Sequence, residues 1–313
     1  MDYYNIFYDI FQLLNFQSQL SFVMINHNIQ DLFHTNVHKK YYEEFYPQRI
    51  LKTVKLMNVI YGDKIINISF MKHLKILRAF GKSKINQRSI QNLDLIELDA
   101  SYNENIHDVS FMKNLKILHA KSTCCIDQKG ISGLDLTELY IDDNYRIEKV
   151  AYMKNLKILH VRGCYGINQN ELFGLDLFEI SVCDNPKIYN VSFMKNLKIL
   201  YAGGISSINQ NSILNLDLIE LYANNNSQIT NVSFMKNLKV LYADNYCGIG
   251  QVGIIGLDLF KLHANSNSKI TDVSFMKNLK VLGAKGNCSI DKNGIRGLEL
   301  LDIVVNGNKN LMK

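Results

Sequence analysis

The sequence repeats with a strict period of 41 residues over most of its length. The segment FMKHLKIL, which begins at residue 70, returns as close copies at residues 111, 152, 193, 234 and 275, with no insertion or deletion between them. Six copies in register require a structure in which each unit packs on the next in the same way, as in a solenoid. The 313 residues therefore predict one long array in place of the two domains that length alone would suggest.

Each 41-residue unit divides into two halves that share one apolar pattern. Leu77 and Leu98 are 21 residues apart, and Leu118 follows Leu98 after 20 residues. The second half reads L-x-x-L-x-A-x-x-N-x-x-I over residues 95–106. Coils of about 20–29 residues with this pattern are typical of the leucine-rich repeat. The chain resembles that family from about residue 52 to its last residue.

The resemblance implies an α/β solenoid of about thirteen coils, the first of them a weaker half-repeat around Met57. In such a fold each coil contributes a short strand to a parallel β-sheet on the concave face, and short helical or 3-10 turns lie on the convex face. The repeat as a whole also resembles those of repeat proteins from giant DNA viruses of amoebae. We expect the solenoid to span residues 51–313 and a small helical module to span residues 1–50.

One asparagine recurs at the turn that follows the strand in every second half. In the leucine-rich-repeat family this column forms a ladder of side-chain bonds to the turn backbone, whose buried polar groups need partners. Five of the six first halves carry other residues there, such as Lys82 and Cys164, and only the last has an asparagine, Asn287, so we expect the ladder only on alternate coils. The predicted ladder consists of Asn103, Asn144, Asn185, Asn226, Asn267 and Asn308.

Residues 1–50 do not follow the repeat. Their apolar residues have helical spacing and resemble an F-box, although the opening Leu-Pro of that family is absent and Ile29 stands at its Trp position. The resemblance implies that this module docks onto a Skp-type adaptor of a cullin–RING ubiquitin ligase. The residues that would contribute are Leu14, Phe16, Leu20 and Ile25. A plain helical cap over the first coil is the alternative, and the residues alone do not separate the two.

The outward positions of the strands form the candidate binding face. Successive side chains of a strand alternate between its two faces, so one column of outward residues runs along the concave side from Arg78 to Val304. Tyr and His dominate the column, and Tyr offers a large contact area, a polar tip and a small entropy cost. Tyr also favours strands in general, which leaves drift at an exposed face as the alternative. The predicted contact residues are His119, Tyr140, His160, Tyr201, Tyr222, Tyr242 and His263.

No residue pattern points to catalysis. The sequence has no phosphate-binding loop, nucleophile elbow or zinc-ligand spacing, and Cys124, Cys247 and Cys288 share one repeat position at which cysteine packs as a small hydrophobe. We expect no metal, no cofactor and no enzymatic activity. With no secretory signal and no apolar run long enough for a membrane span, we expect an intracellular protein with reduced thiols, in the cytoplasm or the nucleus.

The sequence therefore favours a protein-binding scaffold, and the F-box resemblance implies a substrate receptor for a ubiquitin ligase. The alternative is the same solenoid with a plain cap and no ligase link. A third hypothesis is nucleic-acid binding by the paired lysines of each M-K-N-L-K segment in a chain of net charge +6, although Glu138 or Glu179 would offset such lysines. Because no polar cap follows Leu311, we also expect end-to-end association of two copies.

Overall fold

The computed structural model describes residues 68–312 and two short strands that precede them. Fourteen strands form one parallel sheet, and their order in the sheet is their order in the chain. The strands are β1 (Thr35–Asn36), β2 (Leu56–Asn58), β3 (Ile76–Arg78), β4 (Glu97–Asp99), β5 (Ile117–His119), β6 (Glu138–Tyr140), β7 (Ile158–His160), β8 (Glu179–Ser181), β9 (Ile199–Tyr201), β10 (Glu220–Tyr222), β11 (Val240–Tyr242), β12 (Lys261–His263), β13 (Val281–Gly283) and β14 (Asp302–Val304).

The strands β2–β14 supply one strand to each of the thirteen predicted coils, which confirms the solenoid. The sheet also contains β1, which the repeat pattern did not predict and which pairs with β2. Since β1 lies within residues 1–50, the sheet extends into the segment that the sequence analysis assigned to a helical module. The helices predicted there lie outside the described residues.

Alternation of side chains makes the strands β3–β13 amphipathic. The central residue of β3–β13 is a fully buried Leu or Ile, while the residues on either side of it are mostly half-buried and face outward. Register pairs these central residues directly, as in Leu200, Leu221 and Leu241. The core is therefore one continuous apolar column that each coil lengthens by the same set of side chains.

Four of the six return segments of the first halves form a single turn of helix, as predicted, and the other two form turns. These are α1 (Gln87–Ile90), a 3-10 turn (Gln169–Leu172), α2 (Gln210–Ile213) and α3 (Gln251–Ile254), and α4 (Lys309–Met312) follows the last strand. The side chains of Asn86 and Asn209 cap α1 and α2 by accepting bonds from backbone N–H groups. In the described part of the chain no helix has the length or apolar character needed to traverse a bilayer.

The six predicted ladder asparagines are buried and make equivalent bonds. In the unit that contains Asn226, its Nδ2 donates to the carbonyls of Ala202 at 2.7 Å and Ile208 at 3.0 Å, and its Oδ1 accepts from the N–H of Gln228 at 2.9 Å. Each asparagine thus joins its own coil to the preceding one. In the first halves Cys164 is the nearest counterpart, since its buried Sγ donates to the carbonyl of Ile141.

A second ladder, which the sequence analysis missed, lies on the opposite side of the coil from the sheet. One glutamine in each of the first five first halves donates from Nε2 to a backbone carbonyl of the following coil, and its Oε1 accepts from two backbone N–H groups there. For Gln210 these are the carbonyl of Asn231 at 2.8 Å and the N–H groups of Thr230 and Asn231. The ladder residues are Gln87, Gln128, Gln169, Gln210 and Gln251.

The turn after each of the strands β3–β14 passes through a left-handed residue. At twelve successive coils the residue three positions after the central outward side chain has a φ between 52° and 78°. Seven of these residues are not glycine, and Tyr102 and Ser122 belong to residue types that disfavour this conformation by about 1–2 kcal/mol. Their N–H groups bond to carbonyls of the next coil, so stacking fixes the conformation against its local preference.

The last strand, β14, is less well covered than β3–β13. Leu301 is 81% exposed and Ile303 40% exposed, whereas Leu311, in α4, is partly buried against the core. The described cysteines are free thiols, and Cys124, Cys164, Cys247 and Cys288 are buried. Burial raises the pKa of the Cys124 thiol to about 12, in agreement with a packing role. Association of two copies through the last coil stays a prediction.

Candidate functional site

The outward side chains of β3–β14 form one surface, which we call the sheet face. Strand pairing aligns its central column, so that Arg78 lies beside Asp99, Asp99 beside His119, and the series continues to Val304. Because all strands share one register, the columns on either side of the central one are aligned as well. The sheet face is therefore a regular grid whose composition differs from coil to coil.

Seven rings of the central column contact one another in an unbroken series, which we call the ring ladder. The centroids of neighbouring rings are 4.1–5.5 Å apart, and four of the six contacts are stacked. Aromatic pairs at this separation contribute about 0.5–1.5 kcal/mol each, which holds the side chains in place before any partner arrives. The ladder brings together all the predicted contact residues, which are His119, Tyr140, His160, Tyr201, Tyr222, Tyr242 and His263.

The ring ladder crosses one strand that carries no ring. Ser181 of β8 is buried at this position, and the rings of His160 and Tyr201 meet across it with centroids 5.5 Å apart. The planes of these two rings are inclined by 56°, in contrast to 13° for Tyr201 and Tyr222. The ladder therefore changes ring orientation near its middle.

Carboxylates flank the ring ladder on every second strand. The hydroxyl groups of Tyr140 and Tyr222 donate to Glu138 at 2.8 Å and Glu220 at 2.7 Å, each within one strand. Glu179 is 2.8 Å from Nε2 of His160. These bonds fix the glutamates beside the rings and give the face a polar, acidic border.

Burial and the neighbouring carboxylates change the acidity of the ladder residues. Burial, assisted by the bond to Glu220, raises the pKa of Tyr222 well above its ordinary value, and Tyr140 is affected in the same way. Burial lowers the pKa of His119 and His263 below the usual histidine value. Both tyrosines are therefore protonated and both histidines neutral at pH 7, so these four rings add no positive charge to the sheet face.

The lysines of the M-K-N-L-K segments are partly neutralised. The second lysine of a segment pairs with an aspartate of the following coil, at 2.8 Å in Lys75–Asp94 and in Lys157–Asp176. An asparagine of the coil beyond donates to the same carboxylate, as Asn196 does to Asp176. Glu138 and Glu179, the glutamates expected to offset these lysines, pair with none of them in the described part of the chain. Lys75, Lys116, Lys157 and Lys198 pair with aspartates, and Lys280 pairs with Glu299 at 3.9 Å.

The remaining predicted site residues are not part of the sheet face. The ladder asparagines lie in the buried turns, and the adaptor-docking candidates Leu14, Phe16, Leu20 and Ile25 lie outside the described residues. Within residues 68–312 no group of three or more His, Cys, Asp or Glu side chains has a geometry that could hold a metal ion. The sheet face is therefore the main candidate surface for recognition.

The parallel register, the buried leucine column and the asparagine ladder together define a leucine-rich-repeat solenoid. No protein-family model matches the chain, and no curated protein is significantly similar to it. Among solved structures, the TLR13–ssRNA13 complex aligns with 13% identity and a TM-score of 0.37 over 81% of this chain, which spans 55% of the TLR13 chain. The internalin InlF from Listeria monocytogenes aligns with 17% identity and a TM-score of 0.39, covering 85% of this chain and 78% of the internalin.

Proposed function

We propose that the chain is a protein-binding scaffold without catalytic activity, and that the ring ladder is the centre of its binding surface. The observation that carries the proposal is the unbroken contact of seven half-buried rings across β5–β12. Binding surfaces obtain much of their affinity from a few large, rigid side chains near their centre, and aromatic residues are enriched among them. Rings that are already stacked lose little conformational entropy when a partner covers them.

Site-specific photocrosslinking tests this proposal. A benzophenone-bearing phenylalanine analogue at Tyr222 keeps a ring in the ladder, and the same analogue at Tyr246, which is 83% exposed and outside the sheet face, is the matched control. In cells that contain the protein, we expect a covalent adduct from position 222 that protease removes and nuclease does not. We expect no comparable adduct from position 246, even though that side chain is far more accessible.

Two outcomes of this experiment would contradict the proposal. Equal adducts from positions 222 and 246 would show that exposure alone determines capture. A nuclease-sensitive adduct from position 222 would favour the nucleic-acid alternative, against which stand the acidic border of the sheet face and the aspartates paired with Lys75, Lys157 and Lys198. Nucleic acid requires unpaired cations beside the bound backbone.

The more specific role, a substrate receptor of a cullin–RING ubiquitin ligase, rests on the F-box resemblance of residues 1–50. It is tested by a pull-down of a Skp-type adaptor with the full chain and with a Leu14→Asp, Leu20→Asp variant. We expect the full chain to bind and the variant to lose binding, with the circular dichroism of the repeats unchanged in the variant. Absence of binding by the folded full chain would leave the scaffold with a plain cap.

A further inference from the structure

The middle of the sheet face is acidic in a chain that is basic as a whole. From β8 to β11 the outward positions contain Glu179, Glu220 and Asp244 and no lysine or arginine, whereas the whole chain has a net charge of +6. Glu97, nearer the amino-terminal end of the sheet, differs because Arg78 pairs with it at 3.4 Å. A surface patch of one charge favours binding partners of the opposite charge and increases their rate of association.

Three glutamates of the sheet face, from β6 to β10, are regularly spaced along the sheet. Glu138, Glu179 and Glu220 occupy the same position on every second strand, and in the described ion pairs none of them has a lysine or arginine partner. Neighbouring strands are about 4.8 Å apart, so successive glutamates repeat at roughly 9.6 Å. The series ends at β12, where Lys261 takes the glutamate position.

The spacing distinguishes between possible conformations of a bound polypeptide. A polyproline II segment has three residues per turn and rises about 3.1 Å per residue, so every third side chain returns to one face after about 9.3 Å. In a β-strand the same-face repeat is about 6.7 Å, and in an α-helix seven residues advance about 10.5 Å. Glu138 and Glu220 are separated by two such spacings, about 19.2 Å. Two polyproline II repeats differ from this distance by less than about 1 Å, whereas two seven-residue helical repeats exceed it by about 2 Å.

The ring ladder already contacts ammonium groups of the protein itself. Nζ of Lys121 lies 5.3 Å from the ring centroid of Tyr140, and Nζ of Lys261 lies 5.2 Å from that of Tyr242. Cations at this distance are attracted to the ring electrons. These two lysines lie on either side of the acidic middle of the sheet face. Among the described contacts, no lysine or arginine lies over the rings of Tyr201 and Tyr222, which are between them.

We propose that the sheet face binds an extended, polyproline II-like polypeptide segment that runs along the solenoid and carries lysine or arginine at every third position. Its basic side chains would pair with Glu138, Glu179 and Glu220. Its backbone would lie over the ring ladder, whose tyrosine oxygens can accept from the N–H groups of a backbone that makes no internal hydrogen bonds. This inference rests on the proposed function, because it specifies the chemistry of the protein partner. A nucleic acid is disfavoured by the same carboxylates.

The test uses two dye-labelled peptides and the full chain. One peptide has lysine at every third position with proline and alanine between, and the other has the same composition with its lysines clustered. We expect the spaced peptide to bind roughly tenfold more tightly by fluorescence anisotropy, with binding that weakens as salt rises. A Glu138→Gln, Glu179→Gln, Glu220→Gln variant should bind the spaced peptide roughly tenfold more weakly.

A matched variant controls for the change in net charge. Glu104→Gln, Glu148→Gln, Glu299→Gln removes three carboxylates outside the sheet face and should bind as the unmodified chain does. Equal affinity for both peptides, no binding of either at low salt, or equal weakening by the two triple variants would each overturn the proposal. If the Tyr222 crosslink to a protein persists unchanged in the Glu138→Gln, Glu179→Gln, Glu220→Gln variant, the basic partner is wrong and the protein-binding function stands. If Tyr222 captures no protein, the binding function itself fails.

Discussion

Replacing Asn226 with alanine is expected to lower the free energy of unfolding by about 3–6 kcal/mol, because two buried carbonyl groups and one partly buried N–H group lose their partner at once. These are the carbonyls of Ala202 and Ile208 and the N–H of Gln228. Asn226 lies in a middle coil, and in a solenoid each coil contacts only its neighbours, so a defect there weakens the connection between the two halves of the array. Urea denaturation followed by circular dichroism measures the loss.

The equivalent change at the end of the array should have a much smaller global effect. Asn308 makes the same three bonds, to the carbonyls of Ala284 and Ile290 and from the N–H of Asn310. An Asn308→Ala change should release only the last coil and leave the main transition within about 1 kcal/mol. Asn211→Ala, at an exposed position of α2, should change stability by less than about 0.5 kcal/mol. Equal losses for Asn226 and Asn308 would mean that the chain unfolds as one cooperative block.

Two adjacent residues of β10 should separate stability from binding. Leu221 is fully buried and pairs in register with Leu200 and Leu241, so Leu221→Ala should cost about 2–5 kcal/mol through lost burial and the cavity left behind. Tyr222 faces outward and stacks on Tyr201 and Tyr242 at 4.1 and 4.6 Å. Its change to alanine should cost only about 1–2 kcal/mol of stability.

The binding readout should show the opposite order. At a temperature where both variants are folded, Tyr222→Ala should weaken the spaced lysine peptide, or an isolated natural partner, by at least about tenfold. Leu221→Ala should retain most of the affinity, because its truncated side chain lies beneath the sheet and not on the sheet face. The assignment of the binding surface would be wrong if Leu221→Ala reduced affinity more than Tyr222→Ala while both proteins remained folded.

Features that recur at a fixed period could be predicted from the sequence. The strands, the short convex turns and the buried column through Leu98 and Leu118 follow from apolar spacing and confirm the fold class. The composition of the ring ladder could also be read from the outward positions. The contact between the rings of His160 and Tyr201 across Ser181 could not be predicted, because the direction in which each side chain points depends on the space that its neighbours leave.

Other features escaped prediction because they depend on pairs of coils. Gln87 and its equivalents recur every 41 residues and are visible in the sequence, but nothing local marks them as partners of a backbone about 20 residues away. The pairing of Lys157 with Asp176 has the same origin. Tyr102 has no local preference for a left-handed conformation, and only the bond from its N–H to the next coil accounts for it. The strand β1 has no counterpart in the repeat from which it could have been predicted.

The two ladders account for a repeat unit of two coils, 41 residues long, in place of a single coil. Asn103 reaches back from a second half to the first half before it, and Gln87 reaches forward from that first half to the same second half. Both sets of bonds therefore span the interface inside a unit, and the interface between units uses other contacts, such as Asn114 with Asp94. A gene duplication that added a single coil would place two coils of one kind side by side and break this alternation. Only whole 41-residue units can be gained or lost without that defect, so the array is expected to evolve in such steps.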